Sequence, residues 1–280
     1  VSELTWFDLA APGTVPADGA GVDAALKAAQ NVSWGYIART GDTRAAVMPD
    51  WSHDGATIAY TSAAQIAGGH VGGINKADGV TPLTTPTETD IYTVPFNNKA
   101  GGAATPLPGA STPGIAEYYP DFSADDAFVA FNRVGTTTGY FYYRADGEIY
   151  VVPSAGGTAV RLRANDPSAC SADAEVSPGV INSWPKWSPI VNSDGSGNKY
   201  YFLVFSSARK YPGQFTLTPG AYTPVGLDSR SSQLYLATIV VDPSGNITDY
   251  PAVYLWNQTA DTSNLTPAWD DFQIPPAVVK

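Results

Sequence analysis

Residues able to do chemistry are sparse in this chain, and their spacing argues against most of the usual centres. The histidines are His53 and His70, one in a turn-like Ser52-His-Asp-Gly55 and one in a Gly-rich stretch, which is poor material for a transition-metal site. Cys170 is alone, so no disulfide can form within the chain, and it reads as a free or buried thiol. A nucleophile elbow of the form Gly-x-Ser-x-Gly is absent, as is the Cys-x-x-Cys-His of haem attachment. Asp194-Gly-Ser-Gly-Asn198 has the oxygen ligands of a calcium loop but lacks a closing bidentate Glu, and a hairpin turn explains it better. The pairs Asp125-Asp126 and Asp270-Asp271 read as exposed turn residues. Calcium is therefore a weak expectation, no other metal or cofactor is implied, and no catalytic residue is assigned.

What must position any functional group is a repeat. Val47-Met-Pro-Asp-Trp-Ser-His-Asp-Gly-Ala-Thr-Ile-Ala-Tyr-Thr-Ser62 reads as strand, turn and strand, with Gly55 supplying a positive φ. The layout returns at Tyr119-Pro-Asp-Phe-Ser-Ala-Asp-Asp-Ala-Phe-Val-Ala-Phe131. It returns again, with a longer turn, at Trp184-Pro-Lys-Trp-Ser-Pro189 and Tyr200–Ser206, and its opening half recurs at Thr266-Pro-Ala-Trp269. A second element follows each time: Asp90-Ile-Tyr-Thr-Val, Glu148-Ile-Tyr-Val-Val and Gln233-Leu-Tyr-Leu-Ala. Glu3-Leu-Thr-Trp-Phe-Asp8 matches it near the N-terminus, and Val32–Ala38 alternates like a closing outer strand.

Each unit is thus a four-stranded antiparallel blade, and the predicted fold is an all-β propeller. Three blades are complete, at 44–114, 115–179 and 180–262. A partial blade with its connection fills 1–43, and the start of a closing blade with a tail fills 263–280. Val22–Gln30 could add about two helical turns. The partial pieces either complete each other in a four-bladed ring or belong to a larger ring whose other blades lie elsewhere. The second is preferred, because the C-terminal piece lacks a convincing second strand. The aromatics Trp51, Phe122, Trp187 and Trp269 are expected to pack between blades.

These motifs resemble the TolB-type propeller repeat of exported bacterial proteins, whose blades open with Pro-x-Trp-Ser-Pro-Asp-Gly and continue to an Ile-Tyr strand and a Gly-Gly turn, here Gly156-Gly157. The resemblance spans roughly residues 45 to 272. It departs at Ser123-Ala-Asp-Asp126, where the turn lacks Gly, and at Ser188-Pro-Ile190, where the turn is enlarged. It implies protein partners in the cell envelope or on the surface. Related propellers also cap peptidases, so an accessory domain of a peptidase or hydrolase is one alternative, and a carbohydrate-binding propeller is another. The sialidase-type Ser-x-Asp-x-Gly-x-x-Trp box does not fit Ser52-His-Asp-Gly55, which has the wrong spacing.

Composition narrows the rest. A net charge of −11 with no basic cluster argues against nucleic acid. No run approaches the ~18 apolar residues of a membrane span. At 44% hydrophobic the chain can bury a substantial core, and Gly 27, Pro 23 and 12% aromatic residues fit many short strands joined by turns. An acidic, lysine-poor surface with many Thr, Ser and Asn suits an exported, periplasmic or cell-surface setting. A non-catalytic protein-binding or assembly module is the expected role, with another chain completing the ring if it is open. Recognition should come from the insertions at 63–88 and 208–230, or from the channel. The innermost strands place Ala46, Glu117, Asn182 and Asn264 three residues before each proline. Glu117, Asn182 and Asn264, with Arg44 near one mouth, are therefore the channel-lining candidates, and Trp6, Trp34 and Trp256 are the surface aromatic candidates.

Overall fold

Proline inside a strand removes a ladder donor, so a strand that carries one must bulge there. This chain does so in three of its repeats. In a computed structural model, which describes residues 3–7, 34–63, 88–135, 144–167, 177–209, 232–258 and 263–269, the first strands of three units are β4 (Ala45–Trp51), β9 (Ile115–Phe122) and β13 (Ser183–Trp187). Each skips register at its x-Pro pair, as Asp50, Asp121 and Lys186 resume pairing with Ala59, Ala130 and Val204. The residue before each proline is left-handed: φ is 53° at Met48, 57° at Tyr119 and 58° at Trp184, and Thr266 repeats it at 49°. Bulky residues rarely hold this conformation, so its recurrence marks a position fixed by the whole arrangement.

The remaining strands of the described residues are all β as well. The second strands are β5 (Thr57–Ala63), β10 (Phe128–Gly135) and β15 (Lys199–Ser207). The third strands are β6 (Thr89–Pro95), β11 (Glu148–Pro153) and β16 (Gln233–Val241). Short fourth strands follow: β8 (Thr105–Pro106), β12 (Val160–Arg161), and both β17 (Ile247–Asp249) and β18 (Val253–Tyr254) on β16. Each unit is an antiparallel meander, and the first two join in one sheet through a parallel bridge from Thr89 to Ala116. Three shorter ladders complete the set: β1 (Thr5–Phe7) with β2 (Trp34–Tyr36) antiparallel, β3 (Ala38–Thr40) with β7 (Gly101–Ala103) parallel, and β14 (Asn192–Ser193) with β15 antiparallel. The segment 22–30, the loops 64–87 and 210–231, His70 and Cys170 lie outside the described residues.

Third and fourth strands are tied by one recurring bond. Leu107 N donates to Ile91 O at 2.8 Å, Leu162 N to Ile149 O at 3.1 Å and Leu255 N to Leu234 O at 3.2 Å. Ile37 N donates to Leu4 O at 3.0 Å, so Leu4 occupies the same local setting ahead of the first unit. The turn lacking Gly is solved by Asp126, which takes the left-handed conformation (φ 55°) that Gly55 takes in the first unit (φ 73°).

The repeat aromatics pack backwards onto the preceding unit. Phe122, 4% exposed, sits in a buried cluster with Ala59 and Ile91, and Trp187, 6% exposed, sits with Ala130 and Ile149. Each such burial contributes about 1.5–3 kcal/mol. Trp51 and Trp269 depart from the expectation that all four would be covered. Trp51 is 43% exposed and leans on Phe96 of its own unit, with centroids 4.3 Å apart, while Trp269 is exposed and its indole N–H bonds Lys186 O at 2.9 Å.

Candidate functional site

Carboxylates placed one residue after the prolines strap neighbouring units together. Asp50 accepts the Phe122 backbone N–H at 2.6 Å, and Asp121 accepts that of Trp187 at 2.6 Å. In the third unit the position is Lys186, whose ammonium pairs back to Asp121. Burial raises both acids above the ordinary carboxylate range, Asp121 to about 6, and the neighbouring Lys186 opposes that rise only in part. Beside these straps the x-Pro pairs converge. Met48, Pro49, Tyr119, Pro120, Trp184 and Pro185 line a small cavity of about 60 Å³, with the Tyr119 and Trp184 rings 4.2 Å apart. On the turn side, Asp126 accepts the His53 and Asp54 N–H groups at 2.8 and 2.9 Å, and Asp125 accepts from Lys199 Nζ at 2.8 Å and Tyr201 OH at 2.9 Å.

The opposite ends of the strands carry arginines. In the first unit Arg44 bonds Asp90 at 2.8 Å and Ser62 at 2.8 Å and lies 5.0 Å from the Tyr92 ring centroid. Nearby, Arg39 bonds Asp42 at 2.8 Å and Glu3 at 2.7 Å and covers Tyr60. In the second unit Arg133 pairs with Glu117 at 3.0 Å and lies 4.3 Å from the Tyr150 ring centroid. In the third unit Arg209 lies 4.7 Å from the Tyr235 ring centroid and takes Asn182 Oδ1 at 2.9 Å. Each guanidinium thus seats on a second- or third-strand aromatic and pins the strand ends, and at Arg39, Arg44 and Arg133 cation–π attraction and ion pairing add. Burial raises Asp90 and Glu117 despite their arginines.

These placements locate the sequence candidates. Glu117 and Asn182 are fully buried and engaged as described. Asn264 bonds Gln233 Oε1 at 2.9 Å, and Arg44 is half-buried on Asp90. None of the four lines the small cavity between the x-Pro pairs. The residues there, Tyr119 and Trp184, stand two positions further on than Glu117 and Asn182, at the bulge that the x-Pro pair imposes. Trp34 is a correction: it is buried, not a surface platform, packed edge-on to Tyr36 with centroids 5.6 Å apart and placed opposite Phe7 in the β1–β2 ladder. Trp6 is half-buried, lying over Gly35 with Lys99 Nζ 4.3 Å from its ring centroid. Trp256 is 83% exposed. Asp194 is saturated within its own turn by Ser196 N, Asn198 and Tyr200 OH, which holds it down at about 2. Among the described residues no group of three or more His, Cys, Asp or Glu converges. The strap residues Asp50, Asp121 and Lys186 were missed, although their fixed place after each proline was readable.

A third feature is a cleft of about 350 Å³ beside Trp51. It is lined by Leu4, Trp6, Ile37, Ala46 and Ile58, among others, with Glu3 and Asp50 at its polar margin. It lies between the first unit and the N-terminal residues Leu4, Trp6 and Ile37, of which Leu4 and Ile37 share a buried cluster with Ala46 and Ile58.

Repeated antiparallel units with apolar seams, buried straps and one open apolar cleft define an all-β repeat protein. No protein-family model and no curated protein matches the chain. Solved structures do match. One is from Agrobacterium tumefaciens, provisionally assigned as TolB, with a TM-score of 0.34 and 14% identity over 83% of this chain and 74% of that one. A likeness at that level carries nothing about activity, ligand or partner.

Proposed function

We propose that the chain is a non-catalytic, exported β-propeller that serves as a protein-binding or assembly module of the bacterial cell envelope or surface. The observation that carries the reading is the unequal treatment of one repeated side chain. Phe122 and Trp187 are covered by the preceding unit, whereas Trp51 stands 43% exposed over an apolar cleft of about 350 Å³. A seam of this kind suits an apolar protein segment, from another chain that completes the ring, better than a small polar metabolite. The buried straps and arginine pins support a rigid display role, since they fix the units and leave the loops to vary. The acidic composition and scarcity of lysine agree with an exported setting.

A photo-crosslinking residue at Trp51 in the native host tests this. One recurrent protein adduct in the envelope or secreted fraction, absent when the same probe replaces the exposed Ile190 of the third unit, is the expected result. Identical adducts at both positions, or a protein confined to the cytoplasm, would overturn it. A second reading has one observation in its favour: Trp256, 83% exposed beside the exposed Val253, has the character of a sugar-stacking platform.

A further inference from the structure

Repeats expose what has been changed. In the second unit Glu117, three residues before the proline, neutralises Arg133 at 3.0 Å. The same position in the third unit is Asn182, an amide facing Arg209. A second acid is missing as well. The residue that opens the third-strand motif is Glu3, Asp90 and Glu148 elsewhere, where it pairs with Arg39, Arg44 and Arg161, but in the third unit it is Gln233, which bonds Asn264. A guanidinium again lies over the third-strand tyrosine, supplied here by Arg209 because Ser207 stands where Arg133 does in the second unit, while both acid positions hold amides.

Arg209 is only 3% exposed. Its Nη2 donates to Ala164 O at 2.7 Å, Asn165 O at 3.2 Å and Asn182 Oδ1 at 2.9 Å, and its Nε donates to Ser207 Oγ at 3.0 Å. All of these acceptors are neutral. Aromatic faces of Phe205 and Tyr235 lie 5.3 and 4.7 Å from the guanidinium carbon, and Nη1 has no hydrogen-bond partner among the described residues. Asp166, whose field reaches it, is held in a two-bond pair by Arg161 at 2.9 and 3.0 Å. Burial without a countercharge lowers Arg209 to about 10. A desolvated cation with a spare donor is costly on its own, and the side chain is oriented on three sides as a binding group would be.

We propose that Arg209 is the anchor of a ligand site in the third unit, in which Nη1 receives an anionic oxygen, from a carboxylate or a phosphate, in place of the side-chain acid that the other units supply. The inference is independent of the protein-binding reading, because it concerns a different end of the strands and any bearer of that anion.

Thermal unfolding of the full chain, in sodium acetate or inorganic phosphate against chloride at constant ionic strength, tests it. The wild type should show a saturable rise in Tm, on the order of 5 °C at a hundredfold excess over Kd. A rise with acetate alone assigns a carboxylate, and a rise with phosphate alone assigns a phosphate. Asn182→Glu copies the second unit. It should start with a Tm no lower than that of the wild type and lose the anion response. Arg209→Met should lose the response too, and if that variant does not fold, Asn182→Glu decides. No saturable rise in the wild type with either anion, or an undiminished rise in Asn182→Glu, would overturn the proposal.

Discussion

Replacing Asp121 by Ala and by Asn separates the two roles that its carboxylate combines. It accepts the buried Trp187 N–H at 2.6 Å and pairs with Lys186, which is about a third exposed at 32%. Both variants remove the charge, so the loss of the ion pair and the relief of a desolvated anion are common to them and cancel in the comparison. What differs is the cap. The Asn oxygen can still take the Trp187 N–H, whereas Ala leaves a buried donor unpaired, which costs about 1–3 kcal/mol. Alanine should therefore be less stable than asparagine by ~2 kcal/mol, or roughly 4–8 °C in Tm at about 2–4 °C per kcal/mol for a chain of this size. Asp50→Ala and Asp50→Asn should show the same gap, because Asp50 caps Phe122 in the same way. Far-UV circular dichroism melts of the four variants give the answer. Alanine and asparagine melting within about 1 °C of each other at both positions would refute the view that these acids hold the units together through backbone straps.

Other predictions follow from single observations. Asp121 binds its proton up to about pH 6 in the folded state against about 4 when unfolded, so its contribution is greatest below pH 4 and is lost as pH rises through 6. Wild-type Tm should accordingly fall relative to Asp121→Asn between pH 4 and 6.5, and a constant difference would contradict it. Asp194 has the opposite sign, since it is held down at about 2 by its turn, and carboxyl NMR should show it titrating well below Asp121. Gly101→Ala should destabilise by ~3 kcal/mol or more, because φ is +72° and a Cβ would lie 2.3 Å from Ala38 O. Gly55→Ala, with φ +73° and open space around it, should cost only about 1 kcal/mol, measured by the same melts. On a glycan array, Trp256→Ala should abolish any signal if sugar stacking is the activity, and a blank wild-type array removes that reading.

Much of the strand order could be read from the sequence because its determinants are local. Proline, the turn Gly55 and the alternating Ile-Tyr runs act within a few residues, and each reappears where the chain repeats. Side-chain destination was harder. The left-handed residue before each proline interrupts two-residue alternation, and that is what turns Met48, Tyr119 and Trp184 into the small cavity, a convergence that counting along a regular strand does not report. Trp34 failed for a related reason: its burial is set by β1, a strand nearly thirty residues earlier in the chain, which no local pattern reports.

Repetition also turns deviation into a signal that single-residue inspection lacks. An isolated Asn182 is an ordinary buried amide, and an isolated Trp51 is an ordinary exposed aromatic. Set against Glu117 on one side and Phe122 on the other, each becomes a change made at a position whose structural demands are known from its counterparts. Packing alone would favour the common solution at every copy, a carboxylate under the arginine and a neighbour over the aromatic ring. The copies that give up these interactions do so at opposite ends of the array, Trp51 beside the β1–β2 ladder and Arg209 in the third unit. A fold held by straps at the two seams between its three units can tolerate one unneutralised cation and one aromatic left exposed beside a cleft, because neighbouring units keep their own contacts. If the proposed sites at Trp51 and Arg209 bind as inferred, weakening Asp121, which lines neither, should blunt recognition at both by loosening the strap between the units.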